Sequence, residues 1–203
     1  FLLIFVLIAL VVWMFLVKEK HEVHQIPLTF HEKLSFGFIG FIAILIIGIF
    51  FRIFALNQHD FWFDEAFSYH IAKLNLLDLL SVTLTDNNPP LYYLLIHFVL
   101  KIGQNELILR LPSLILGVLA IPLVYIALKE LINKRTAIIA ASLFSVSPLA
   151  VYTATEARPH GPAVIFTLLI SIAFFVLNKK PSIKNAFIFI CLSIIGIFVH
   201  FYI

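Results

Sequence analysis

The chain has 203 residues, 62% of them hydrophobic and 12% charged; soluble domains run at roughly 45–50% and about 25%, so this balance excludes one and marks a polytopic membrane protein. The formal net charge of +3 comes from short basic clusters between apolar runs, which encode topology and do not make a nucleic-acid surface. The lone cysteine, Cys191, excludes an intrachain disulfide and reads as a small buried hydrophobe.

In chain order, residues 1–17 reach the lower limit for a membrane span and lack the basic start and cleavage site of a signal peptide. Residues 1–33 read as an extra N-terminal span with a cytoplasmic loop, ahead of a truncated transmembrane domain over 34–203. Further spans are expected over 34–53, 111–132, 136–153 and 161–178, with another beginning near 186. Because the chain starts at Phe1 and stops inside the apolar run Val199–Ile203, it reads as a fragment.

The loops set the orientation. Lys18, Lys20 and Lys33 fall in one loop, Lys129, Lys134 and Arg135 in a second, and Lys179, Lys180 and Lys184 in a third: three each, nine of the 14 basic residues. These loops alternate with the others, so they are expected in the cytoplasm. The opposite face then carries Asp60, Asp64, Glu65, Asp78, Asp86, Glu106 and Glu156, seven of the 11 acids. Residues 89–102 are apolar but short for a span and read as a re-entrant or interface-lying helix. Residues 64–80 read as a second interface helix, with Phe67, Ile71, Leu74 and Leu77 as its apolar stripe and Phe61, Trp62 and Phe63 as an aromatic anchor.

Four polar groups stand out on that face. Asp64-Glu65 puts two carboxylates at a bilayer surface, an expensive place unless a partner or a reaction needs them; alternatively Asp64 caps a helix and Glu65 pairs with its dipole. In Asn88-Pro89-Pro90-Leu91-Tyr92-Tyr93 the double proline holds Asn87 and Asn88 extended at a helix start. Arg110 either snorkels, pairs with Glu106, or offers its planar fork to a phosphate. Glu156-Ala157-Arg158-Pro159-His160 confines charges to a very short connection; Glu156 and Arg158 either pair with each other or join the other groups, and His160 is either a site residue or a polar helix start. Carboxylates able to accept a proton beside arginines able to hold a departing phosphate suit group transfer from a lipid-linked phosphate. With no Gly-rich phosphate loop, a nucleotide-sugar site is unsupported. His21-Glu22-Val23-His24 has ligand-like spacing but reads as a charged linker.

Trp62-Phe63-Asp64-Glu65, Asn88 to Tyr93, Leu109-Arg110-Leu111-Pro112-Ser113 with Gly117, Ser147-Pro148, and Tyr152 to Arg158 occur in an order and spacing that resemble GT-C membrane glycosyltransferases of the protein O-mannosyltransferase type. The pattern looks closest to bacterial relatives, the lipid A aminoarabinose transferases and Rgt-type lipopolysaccharide sugar transferases, over roughly residues 36–200. The resemblance implies an all-α polytopic bundle in the cell membrane. It implies hexosyl or pentosyl transfer, with inversion, from a polyprenyl-phosphate-sugar to a glycan, lipid or protein acceptor on the non-cytoplasmic face. Asp64 is the expected base, Glu65 and Glu156 support the catalytic site, and Asn88, Tyr92, Arg110, Arg158 and His160 bind substrate. Many members carry His where this chain has Asn88, so a divalent metal stays an open question. The competing reading is a transporter or flippase of lipid-linked sugars, which predicts polar groups near the bilayer midplane.

Overall fold

The computed structural model describes residues 30–201 apart from 57, 59 and 87, and side chains from residue 40 onward. The predicted span 1–17, Lys18, Lys20 and the His21–His24 motif lie outside the described residues. The described part of the unit Gly37–Ile203 is an all-helical bundle of membrane type, without a strand among the described residues.

Helices α1 (Phe30–Ala55), α2 (Phe63–Lys73), α3 (Leu76–Thr83), α4 (Pro90–Val99) and α5 (Glu106–Leu131) come first, followed by α6 (Lys134–Val146), α7 (Pro148–Thr155), α8 (His160–Lys179) and α9 (Ile183–Val199). Their starts are written in local chemistry. Asn75, Asn105, Asn133 and Ser182 each accept, through a side-chain oxygen, the backbone N–H three residues on, satisfying a donor that the helix leaves unpaired. Pro90 and Pro148 occupy the first turns of α4 and α7, where a missing N–H is harmless.

Among the described residues α5 and α8 are long and apolar enough to cross a membrane, and α6 with α7 makes a third candidate, bent by 57°. The bend follows from Pro148, which pushes Ser147 to an extended ψ of 122° and interrupts the span expected over 136–153. Gly40–Ala55 and α9 are shorter apolar helices. At 10 residues, about 15 Å, α4 does not reach across a bilayer, in line with its reading as an interface-lying helix.

The single helix expected over 64–80 is two. Leu74 and Asn75 are extended (ψ of 158° and 161°), because Asn75 spends its side chain capping α3. Of the expected apolar stripe, Ile71 is buried, Leu74 packs against the core, and Phe67 and Leu77 stay exposed; α2 also buries Glu65, Ser68 and Ala72. Ser68 tolerates burial by donating its hydroxyl to the Asp64 carbonyl, 3.0 Å away.

Two apolar cores result. Ile44, Ile121, Val124 and Ala141 join α1, α5 and α6. Ile71, Ala72, Leu79, Tyr92, Tyr93, Ile96, Leu100, Leu109 and Ala157 bind α2, α3 and α4 to the first turn of α5 and to the α7–α8 connection. Between α5 and α7 the backbones approach closely, since a Cβ at Gly117 would overlap that of Ala154. Arg52 lies fully buried on α1, donating from Nη1 to the carbonyls of Gly48 and Ser145 at 3.0 Å each and lying 5.7 Å from the Phe144 ring centre. This buried cation in a predicted span escaped the sequence reading. At the other end of the bundle Lys179 Nζ donates to the Glu130 carbonyl, which places the second and third basic clusters side by side.

Candidate functional site

Asp64 and Glu65 sit in the first turn of α2, where the positive end of the helix dipole favours acids; Trp62 occupies the cap position, so Asp64 is not a cap. Successive residues of a helix point about 100° apart, and the two carboxylates go to different places.

Glu65 turns inward and is fully buried. Arg110 meets it as a fork, Nε to Oε1 at 2.8 Å and Nη2 to Oε2 at 2.7 Å. The same guanidinium donates to the carbonyls of Leu56 at 2.9 Å and Asp60 at 3.4 Å, while Glu65 Oε1 also accepts the Ala157 N–H at 2.8 Å. One joint thus ties the end of α1, the loop after it, α2, α5 and the α7–α8 connection. Neither alternative pair, Arg110 with Glu106 or Glu156 with Arg158, is among the described ion pairs.

Asp64 turns outward and is a third exposed. Its Oδ2 lies 3.4 Å from Nη2 of Arg158, whose side chain is 14% exposed. This is an ion pair at long range, with the Arg158 Nε buried and without a hydrogen-bond partner. The Arg158 carbonyl accepts from the Ser113 hydroxyl at 3.3 Å, and Ser113 in turn lies 3.4 Å from the Tyr92 hydroxyl. Burial pushes the Tyr92 phenol well above its ordinary range, so it holds its proton and acts as a support.

The pair borders a cavity of about 480 Å³ lined by Phe63, Asp64, Phe67, Asp86, Asn88, Arg158, His160 and His200. The Tyr93 hydroxyl donates to Asp86 Oδ2 at 2.8 Å, and burial, seconded by this bond, raises the Tyr93 phenol as well. The rings of His160 and His200 lie with centres 5.5 Å apart, tilted by 42° to each other. Burial first, then the Arg158 charge, holds the His200 imidazole below the ordinary histidine range.

Of the eight residues singled out in the sequence, the cavity gathers Asp64, Asn88, Arg158 and His160. Glu65, Tyr92, Arg110 and Glu156 lie behind its wall, each at most 3% exposed; Glu156 shares a hydrogen bond with the Tyr152 hydroxyl. Asp86 and His200 were missed as site residues. Asp86 sits two residues before the signalled Asn88, whereas His200, 40 residues beyond His160, carries no local signal. No group of three or more His, Cys, Asp or Glu among the described residues is arranged to hold a metal ion.

A family model described as dolichyl-phosphate-mannose-protein mannosyltransferase matches residues 87–203, more than half of the chain. No curated protein and no solved structure matches it.

Proposed function

Because the chain belongs to the dolichyl-phosphate-mannose-protein mannosyltransferase family, a family of membrane glycosyltransferases that use polyprenyl-phosphate sugars, we propose that it moves a sugar from such a donor to an acceptor hydroxyl, with inversion, at the non-cytoplasmic face of the cell membrane. The acceptor is a glycan, lipid or protein. The observation that carries this reading is the Asp64–Arg158 pair at the cavity, a carboxylate and a guanidinium 3.4 Å apart.

The chemistry follows from their charges. The acceptor oxygen attacks the anomeric carbon while Asp64 takes its proton. The bond between that carbon and the phosphate oxygen breaks, and the polyprenyl phosphate leaves with one more negative charge than it had in the donor. At the same moment Asp64 becomes neutral and its hold on Arg158 ends. The guanidinium is then released to the phosphate that needs it, an electrostatic contribution concentrated in the transition state. Arg158 takes the phosphate-binding role that the sequence offered to Arg110, since Arg110 is already saturated by Glu65, Leu56 and Asp60. Phe63, at 79% exposure, and Phe67 give the cavity an apolar lip suited to a prenyl chain. The basic clusters gathered at the opposite end of the bundle support the outward orientation of the site.

Asp64→Asn tests the assignment. It keeps size and polarity but removes the base, and a loss of sugar transfer by about 10²–10⁴-fold is expected from the full-length enzyme. Transfer near the wild-type rate would refute the role of Asp64.

A further inference from the structure

The described groups that line the cavity include two carboxylates, Asp64 and Asp86, one guanidinium, Arg158, and two imidazoles, His160 and His200. With both imidazoles neutral, two negative charges and one positive leave this set at −1. A lipid phosphodiester brings a further negative charge into a partly desolvated space, where repulsion is weakly screened. Glu65 and Arg110, behind the wall, cancel each other. Histidine is the side chain in this set whose charge changes near neutral pH.

Granted the lipid-phosphate donor, we propose that His160 and His200 form the second pole of a phosphate cradle beside Arg158, and that the pair takes up a proton as the phosphate binds. Three observations converge on it. The two rings lie with centres 5.5 Å apart at the cavity wall, tilted by 42° to each other. They arrive from the start of α8 and from just beyond the end of α9, two helices that pack along their length, so the bundle itself sets their spacing. Both neighbour Arg158, whose Nε has no hydrogen-bond partner. The Arg158 charge that disfavours a histidine cation in the empty cavity is offset once a phosphate lies between them, and a proton enters with the ligand. The sign follows: affinity is highest at low pH and falls as pH rises through the histidine pKa of the bound form. Asp64, Asp86 and Arg158 are the other charged groups that line this wall.

The probe is a prenyl methyl phosphodiester, whose single charge does not titrate near neutrality, bound to the full-length protein in lipid nanodiscs. Between about pH 6 and pH 8 its affinity for the wild type is expected to fall about tenfold, the equivalent of one pKa unit of linkage. Calorimetry in two buffers of different ionisation heat should record net proton uptake on binding. His200→Gln and His160→Gln should flatten the pH profile, and wild-type calorimetry decides the matter if either variant fails to fold. A pH-independent wild-type affinity, or a variant that keeps the full slope, overturns the histidine pair alone. Absence of binding at every pH overturns the lipid-phosphate donor together with it. Dimethyl phosphate separates the two sources of the anion: binding as tight as that of the prenyl ester would overturn a lipid-linked ligand.

Discussion

Arg110 and Arg158 are the same residue type at the same end of the bundle, and burial gives them opposite work. Arg110 is 3% exposed and donates to a fully buried Glu65 in a bidentate geometry. Removing one partner of such a pair strands the other charge, at a cost of about 3–5 kcal/mol. Arg110→Gln is therefore expected to lower the thermal midpoint strongly, and Glu65→Leu with Arg110→Met to recover much of the loss. Arg158→Lys should leave the midpoint nearly unchanged and raise the KM for the lipid donor; at about 1.5–3 kcal/mol for hydrogen bonds to charged groups, tenfold or more is expected in kcat/KM. Thermal unfolding in detergent and donor kinetics on the same samples separate the two. The sequence showed both arginines as unusual for their surroundings but not which was spent. Exposure depends on what the chain brings up from 45 residues away in the case of Glu65, and no local pattern carries that information.

At the scale of elements, α7 lies close against α5 and leads into the connection that carries Arg158. Gly117 permits that approach: an added Cβ would overlap Ala154 Cβ and come within 3.1 Å of its Cα, which is backbone and cannot swing aside. Gly117→Ala is expected to cost about 1–3 kcal/mol by overpacking, and to impair transfer as well, because α7 leads directly into Ala157 and Arg158. Gly40→Ala meets nothing within 4 Å and should be neutral or slightly stabilising, since alanine is the better helix former. Melting and transfer measured on both variants check the contrast. The long apolar runs and the helix start at Pro89-Pro90 were legible, whereas the caps at Asn105, Asn133 and Ser182 and the interruption at Pro148 were not read from the sequence. The break at Leu74–Asn75 was not anticipated, because the apolar spacing around it continues while the side chain of Asn75 turns from the stripe to cap α3.

For the whole molecule, the decisive expectation is that one end faces out. Arg110 begins α5, His160 begins α8 and His200 follows α9, so antiparallel passage through the bilayer returns the cavity groups to one side and the clusters at Lys134 and Lys179 to the other. In a Cys191→Ser background, Leu84→Cys (87% exposed) and Ile183→Cys (91% exposed) should label from opposite sides of sealed vesicles. Labelling from one side would reverse the orientation and remove the outward site. This architecture was readable from hydropathy and charge because a bilayer imposes the same constraint on every span. The cavity was only half readable: it assembles residues from the region 63–88, the turn at 158–160 and the end of α9, and their convergence depends on packing.

The two letters that begin α2 also have a grammar. Asp64 reaches a partner at the cavity wall, and Glu65 reaches through it to a guanidinium and a backbone N–H. Written in reverse order, the pair would keep its composition, its charge and its place in the helix. The inward acid would then stop about 1.5 Å short of Arg110, one carbon–carbon bond, and the outward one would crowd Arg158. Order within this dipeptide is a length code, in which the longer acid reaches the buried anchor and the shorter one stays at the cavity wall.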